Sequence, residues 1–211
     1  PGEMARLEAA LAQPRPPALR VNTLKIAVDQ AARTWPAWYG WEVQAVPFCP
    51  AGWQVLRQEQ PIGGTLEHEL GYYYVQDAAS MLPAELFSAH AAPLILDLAA
   101  APGGKTMQLA AAGAIVTAVD ISAERLKRLR ENLERTGLMA KVVEADGTSL
   151  GMSERFDAVL LDAPCSATGT IRRHPELPYI RKDAPTPDLC ATQRVLLTEA
   201  ADRVKPGGSL V

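Results

Sequence analysis

Residues 94–106, with the sequence LILDLAAAPGGKT, join an apolar run to a pair of glycines. The apolar run predicts a buried β-strand that contains Asp97, and the residues from Lys105 onward predict the start of an α-helix. In open α/β sheets, ligands bind at the carboxyl ends of the strands. Gly103 and Gly104 would let a ligand approach the backbone there, and the helix N-terminus would offer free N–H groups. The segment therefore predicts a ligand-binding turn in a parallel sheet.

The residues that follow this turn alternate between strand and helix patterns. Apolar runs at 115–120 (IVTAVD), 141–146 (KVVEAD) and 156–164 (FDAVLLDAP) predict three further strands. Residues 122–137 between them predict an amphipathic helix, in which Ser122 is the N-cap, Gly137 ends the helix, and one face carries Leu126, Leu129 and Leu133. Such alternation predicts parallel βαβ units in a doubly wound, Rossmann-like sheet.

The last residues predict one more helix and strand. Residues 187–208 (PDLCATQRVLLTEAADRVKPGG) predict a helix closed by Pro206-Gly207-Gly208, and Ser209 would begin a strand. A sheet of this type normally needs the strands that would come next. We therefore expect the natural protein to continue beyond Val211.

The first seventy residues have a different composition. They are rich in proline and contain all four tryptophans of the chain, Trp35, Trp38, Trp41 and Trp53. Short strand and helix patterns alternate within them. We expect a small α/β domain at residues 1–70 and a Rossmann-like catalytic domain, incomplete at its C-terminus, at residues 71–211.

Composition excludes several classes of protein. Of the 211 residues, 48% are hydrophobic and 21% are charged, as in ordinary soluble proteins. No apolar run approaches the length of a membrane span, and the N-terminus has no signal-peptide pattern. Cys49, Cys165 and Cys190 are widely spaced and predict neither a disulfide framework nor a metal site. We expect a cytoplasmic protein without a membrane partner.

The glycine turn has three interpretations. A dinucleotide fingerprint, GxGxxG, is absent, and a P-loop would need glycine where the chain has Ala99. An S-adenosylmethionine site would need an acidic residue after the second strand, to bind the ribose hydroxyls, and a polar or acidic one after the third, to meet the adenine. Asp120 and Asp146 occupy these positions. Together with Asp97 they give three successive strands a carboxylate each, which favours S-adenosylmethionine.

The next strand ends in Asp162-Ala163-Pro164-Cys165. Carbon 5 of a pyrimidine becomes nucleophilic when a thiolate adds at carbon 6, so a thiol beside a methyl donor suits carbon-5 methylation. A thiol of ordinary pKa needs electropositive help, which Lys105 could supply. Asp162 could hold the N3/N4 edge of a cytosine.

An isolated cysteine is more often a buried packing residue, and we interpret Cys49 and Cys190 in this way. The surroundings of Cys165 favour a functional role. The net charge of the chain is −3, yet the segment after Cys165 is locally basic and would suit a polyanion. Its basic residues are Arg172, Arg173, His174, Arg181 and Lys182.

Four segments carry a resemblance to a known family: DLAAAPGGKT, DAPCSATGTIRRHPE, LRVNTLK and YYYVQDAAS. From about residue 19 to 211 the chain resembles the Sun/Fmu-type (RsmB/RsmF-like) RNA cytosine-C5 methyltransferases. The resemblance implies a Rossmann-type domain preceded by a small RNA-recognition-like domain, with S-adenosyl-L-methionine as cofactor. It implies cofactor binding by Ala99, Ala100, Ala101, Pro102, Gly103, Gly104, Lys105, Asp120, Asp146 and Asp162. Arg125, in the predicted helix at residues 122–137, is the last candidate for cofactor binding.

The resemblance also assigns a role to Cys165. Family members use two cysteines, and the nucleophile belongs to a Thr-Cys-Ser motif on the strand after PGGxLV, which would follow Val211. Cys165 would then assist release of the methylated RNA, with Asp162 and Lys105 as the other catalytic candidates. We expect 16S ribosomal RNA as substrate and a monomeric protein. A transfer RNA substrate, an RNA-binding scaffold without catalysis and a P-loop hydrolase remain alternatives.

Overall fold

A computed structural model describes residues 2–12, 15–87, 93–180 and 186–211. The strands are β1 Ala18–Val21, β2 Glu42–Val46, β3 Cys49–Arg57, β4 Tyr73–Val75, β5 Leu94–Leu98, β6 Ile115–Asp120, β7 Lys141–Glu144, β8 Phe156–Leu161 and β9 Val204–Leu210. The α-helices are α1 Glu3–Ala12, α2 Val28–Tyr39, α3 Leu66–Glu69, α4 Ala78–Glu85, α5 Gly104–Ala111, α6 Ala123–Thr136, α7 Leu177–Ile180 and α8 Thr186–Asp202. The strands form two sheets, so the predicted α/β class is confirmed.

The N-terminal sheet is antiparallel, with the order β2-β3-β1-β4. Its core is aromatic: the rings of Trp35 and Tyr73 lie 5.3 Å apart, and Trp41 and Trp53 are buried beside them. Trp38 differs, because 62% of it is exposed. The division of the chain between residues 70 and 71 stays a prediction; β4 of this sheet lies on the later side of it.

The second sheet is parallel, with the order β7-β6-β5-β8-β9. Helices cover both of its faces, since Leu126 and Leu129 of α6 pack on one side and Ala200 of α8 on the other. The chain leaves β5 towards β6 and returns to the opposite side of β5 as β8. This reversal of strand order is where open α/β sheets bind ligands. The Rossmann-like prediction is confirmed, and the reversal fixes where the site lies.

Helix α6 begins and ends as its sequence predicts. The Ser122 hydroxyl accepts a hydrogen bond from the backbone N–H of Arg125. Gly137 ends the helix in the left-handed conformation, with φ of 70°. The apolar face, which includes Leu126 and Leu133, is buried. The helix is therefore held against the sheet close to the glycine turn.

The predicted end of α8 is wrong. The helix ends at Asp202, and Pro206, Gly207 and Gly208 lie inside β9, which starts at Val204 rather than Ser209. Phe156 of β8 pairs with Val204 and Ala158 pairs with Ser209, so a bulge absorbs the extra residues. Strand β9 lies at the edge of the described sheet, where a proline costs no ladder hydrogen bond.

Buried hydrogen bonds connect the two sheets. The side-chain amide of Asn22, at the end of β1, donates to the carbonyls of Gly71 (2.9 Å) and Thr136 (2.7 Å). Gln76 donates to the side chain of Gln108 on α5 at 3.1 Å. These bonds tie the N-terminal sheet to the helices that flank the glycine turn. Among the described residues, no helix is both long and apolar enough to cross a membrane.

Candidate functional site

The glycine turn lies between β5 and α5. Ala99 and Gly103 both have positive φ, 58° and 102°. A Cβ on Gly103 would approach Cγ of Leu129 to 2.9 Å, so glycine is required there for both conformation and space. The Ala101 backbone N–H donates to Asp120 at 3.1 Å, which fixes the turn to the end of β6.

Asp120 forms an ion pair with Arg125 and accepts hydrogen bonds from the backbone. Its side chain is buried, and its Oδ2 lies 3.3 Å from the guanidinium of Arg125. Its Oδ1 accepts a hydrogen bond from the Ser122 backbone N–H at 3.0 Å. Arg125 in turn donates to the carbonyl of Ala101. The predicted residues Ala101, Asp120 and Arg125 therefore form one connected unit.

A first cavity of about 360 Å³ opens at the carboxyl ends of these strands. Its walls include apolar residues, among them Val119, Ile121 and Leu196. Six of the predicted site residues line it together: Ala99, Asp120, Arg125, Asp146, Asp162 and Cys165. Its size and mixed apolar and carboxylate lining are those of a small-molecule site.

Asp146 follows β7 and is fixed by a local turn. Its Oδ1 accepts from the backbone N–H (2.8 Å) and the hydroxyl (2.7 Å) of Thr148. These hydrogen bonds, the backbone one first, lower the pKa of Asp146 below its usual value. The carboxylate is thus ionised at neutral pH. The Asp-x-Thr spacing is a turn signal that sequence analysis could have used to include Thr148.

A second cavity of about 310 Å³ lies between the two sheets. Ala99 and Asp162 line both cavities and so mark the place where they meet. Five further predicted residues line the second cavity but not the first: Ala100, Ala101, Pro102, Gly104 and Lys105. The N-terminal part of the chain contributes Tyr74, Gln76, Asp77 and Ser80.

Lys105 and Asp162 form an ion pair at this junction, with Nζ and Oδ2 at 2.7 Å. The side chain of Lys105 is 17% exposed, whereas that of Asp162 is 60% exposed. The ammonium group therefore orients a carboxylate that keeps open access to both cavities. The two residues are separated by 57 positions in the chain, which is why no local pattern predicts their contact.

Cys165 is exposed on the loop after β8 and lines the first cavity. The backbone N–H of Ala167 lies 3.4 Å from its sulfur. Gln193 of α8 anchors the loop by donating to the Pro164 carbonyl at 2.8 Å. Arg173 lies further along and lines the second cavity, while Arg181 and Lys182 lie outside the described residues.

The other two cysteines differ from each other. Cys49 is buried in the core as predicted, and burial raises the pKa of its thiol to about 12. The prediction that Cys190 is a packing residue is wrong, because its position on α8 is exposed. A helical period does not by itself say which face meets the sheet.

Asp97 is a buried carboxyl that lines the second cavity and is not among the predicted site residues. It is 1% exposed, its Oδ2 accepts from the Thr106 hydroxyl at 2.5 Å, and its Oδ1 has no hydrogen-bond partner among the described residues. Burial raises the pKa of its carboxyl to about 7, although Thr106 and Lys105 oppose the shift. It lines the second cavity below the glycine turn. A carboxylate inside an otherwise apolar strand was the signal for it.

Known proteins resemble this chain over nearly all of its length. The family model of 16S rRNA methyltransferase RsmB/F matches residues 84–211, and that of the N-terminal domain of 16S rRNA methyltransferase RsmF matches residues 1–78. The ribosomal RNA small subunit methyltransferase F of Pectobacterium atrosepticum is 43% identical over 96% of this chain. That of Cronobacter sakazakii is 42% identical over 96% of it. The chain spans 44% of the length of each of these relatives.

Solved structures share the fold. A methyltransferase homolog protein from Pyrococcus horikoshii superposes with a TM-score of 0.85 at 33% identity, covering 99% of this chain and 68% of that one. NSun6 from Pyrococcus horikoshii, determined with SFG, has a TM-score of 0.85 at 22% identity and covers 99% and 78%. The first match includes both sheets of this chain at an identity that supports homology. The family match also decides against a P-loop. The chain belongs to the RsmB/F family of 16S rRNA methyltransferases.

Proposed function

We propose that this chain is the cofactor-binding part of an S-adenosylmethionine-dependent RNA cytosine-C5 methyltransferase that acts on 16S ribosomal RNA. One observation carries the proposal: Asp120, Asp146 and Asp162, at the carboxyl ends of three different strands, line one cavity together with Cys165. Family membership supports the reaction, and the names of the relatives favour ribosomal over transfer RNA.

The first cavity fits the cofactor. Asp120 would accept from the ribose hydroxyls, and Asp146 would meet the adenine. The apolar walls beside Val119 and Leu196 would cover the purine. The glycine turn and Arg125 would hold the remainder of the molecule. When bound, S-adenosylmethionine supplies an electrophilic methyl group on its sulfonium.

The junction of the cavities is where we place the acceptor cytosine. Asp162 would accept from the exocyclic amine and hold the ring against the methyl group, and Lys105 would keep that carboxylate oriented. In the full-length protein, a cysteine of a Thr-Cys-Ser motif would add to carbon 6, and carbon 5 would then take the methyl group. Loss of the carbon-5 proton to a base would then break the bond between sulfur and carbon 6 and expel that cysteine. Cys165 would assist that release.

Calorimetry with S-adenosylhomocysteine tests the cofactor site. Asp120→Ala removes the ribose acceptor and should weaken binding at least about tenfold, the effect of losing a charge-assisted hydrogen bond. Asp29→Ala, at an exposed position on α2, is the matched control and should bind as the wild type does. No heat of binding with the wild type, or equal affinities for wild type and Asp120→Ala, would refute the assignment.

The release role of Cys165 is tested in the full-length protein. Cys165→Ala should accumulate a covalent protein–RNA adduct that survives denaturing electrophoresis, because the methylated base is no longer released. Cys190→Ala removes another exposed thiol and should turn over normally. Wild-type turnover by Cys165→Ala would refute the role.

We place the protein in the cytoplasm, where ribosomal RNA is matured, and we expect it to act as a monomer. An RNA-binding scaffold without catalysis is the competing function. Transfer of a labelled methyl group to 16S ribosomal RNA by the full-length protein decides between them.

A further inference from the structure

The rim of the second cavity carries an ion cluster around Asp77. This residue is the N-cap of α4, where its Oδ1 accepts from the Ala79 backbone N–H at 3.0 Å. Its Oδ2 lies 2.7 Å from the guanidinium of Arg15 and 3.8 Å from that of Arg173. Two cations therefore share one carboxylate, and the cluster has a net charge of +1.

The two arginines are held unequally. Arg15 is within hydrogen-bond distance of Asp77, whereas the 3.8 Å to Arg173 is too long for a hydrogen bond. The side chain of Arg173 is 55% exposed and that of Asp77 only 12%. Arg173 therefore keeps planar N–H donors available, and these suit a two-pronged contact with a phosphate.

Arg173 lies beside the junction where we place the acceptor cytosine. It lies eight residues after Cys165 and lines the same cavity as Lys105 and Asp162. Lys105 and Asp162 neutralise each other, and Asp97 is buried below the glycine turn, so the net positive charge at the exposed rim comes from the Asp77 cluster. An anion bound by Arg173 would lie at the entrance through which an acceptor base reaches Asp162.

We propose that Arg173, with Asp77 and Arg15 behind it, binds one backbone phosphate next to the nucleotide that enters the second cavity. This inference rests on the proposed function, because it takes RNA as the substrate. Phosphate contacts fix the register of a nucleic acid without reading its sequence. Arg173 is accordingly a binding residue for the RNA backbone and makes no contact with the cofactor.

The test uses the full-length protein and short single-stranded RNA oligonucleotides with one cytosine. One set replaces a single phosphate near the cytosine by an uncharged methylphosphonate, one linkage at a time. Arg173→Gln is compared with Arg172→Gln, the same change at the exposed neighbouring position, which does not line the cavity. Affinity is measured by fluorescence anisotropy at several salt concentrations, and calorimetry with S-adenosylhomocysteine checks the cofactor site of each variant.

We expect Arg173→Gln to weaken RNA binding about fivefold and to reduce the slope of log affinity against log salt by about 0.7, the value of one phosphate contact on a single strand. One methylphosphonate position should weaken binding to the wild type and to Arg172→Gln, yet leave Arg173→Gln unaffected. Binding of S-adenosylhomocysteine should be unchanged in both variants.

Three results overturn the inference and leave the proposed function standing. Equal losses of RNA affinity in Arg172→Gln and Arg173→Gln would mean that the effect comes from overall charge and not from one phosphate contact. Equal sensitivity of Arg173→Gln and the wild type to every methylphosphonate would place the phosphate elsewhere. Weaker S-adenosylhomocysteine binding by Arg173→Gln would assign the arginine to the cofactor. A wild-type protein that binds neither RNA nor S-adenosylhomocysteine would instead refute the proposed function, and the inference with it.

Discussion

The buried carboxyl of Asp97 makes the protein less stable at neutral pH than it would be with a neutral side chain. Its pKa is raised from 3.8 to about 7 because burial opposes ionisation. The folded protein therefore keeps a proton that the unfolded chain has already released. The stability that Asp97 contributes is fully present below about pH 4 and is lost as the pH rises to about 7.

Asp97→Asn removes this dependence and keeps the shape of the side chain. The amide oxygen can still accept from the Thr106 hydroxyl. Each pKa unit corresponds to about 1.4 kcal/mol, so the full effect is about 4 kcal/mol. Between pH 5 and pH 8, the variant should gain about 3 kcal/mol in its free energy of unfolding relative to the wild type.

Urea unfolding followed by circular dichroism, at steps between pH 5 and pH 8, measures this difference. A constant offset from the substitution does not matter, because the test is the change with pH. Asp29→Asn is the control, since its exposed ion pair with Arg33 should change stability by less than about 0.5 kcal/mol at every pH. A difference between Asp97→Asn and wild type that stays flat or falls with pH would refute the reasoning.

A glycine of positive φ and a helix N-cap give two further predictions, and urea unfolding measures the free energy of unfolding for each. Gly71→Ala should lower the free energy of unfolding by about 3 kcal/mol or more, because φ is +71° and a Cβ would lie 2.0 Å from the carbonyl oxygen of Arg135. Gly63→Ala, with open space around it, should lower it by less than about 1 kcal/mol. Equal losses in the two variants would contradict this. Ser122→Ala should lower the free energy of unfolding by about 1 kcal/mol, because the hydrogen bond that caps the Arg125 N–H disappears. Ser122→Asn should retain most of the wild-type stability, because asparagine can also cap a helix.

Local patterns predicted the parallel sheet and the residues at its carboxyl edge. Apolar runs located β5, β6 and β8, and their carboxylates were expected at one edge because parallel strands end together. The ends of α6 were predictable for the same reason, since Ser122 and Gly137 act on the nearest turn. Among the residues that line the first cavity, Asp120, Asp146 and Asp162 are strand-end carboxylates of this kind, whereas the resemblance to the family implied Ala99.

The rest depends on contacts between distant parts of the chain. The pair of Lys105 with Asp162 and the cluster of Arg173 with Asp77 form only when two sheets meet. The course of β9 depends on its register with β8, so Pro206-Gly207-Gly208 suggested a helix end although it forms a bulge. The apolar strand around Asp97 marks the residue as unusual, but the raised pKa follows from its complete burial, which depends on how the helices pack on the sheet.

Bisulfite sequencing of ribosomal and transfer RNA, from cells that lack the gene, tests the central claim most directly. The account predicts that a 5-methylcytosine disappears from 16S ribosomal RNA and that transfer RNA is unchanged. The wild-type gene should restore the mark, and a gene with Asp120→Ala should not. An unchanged 16S pattern, or a loss confined to transfer RNA, would contradict the account.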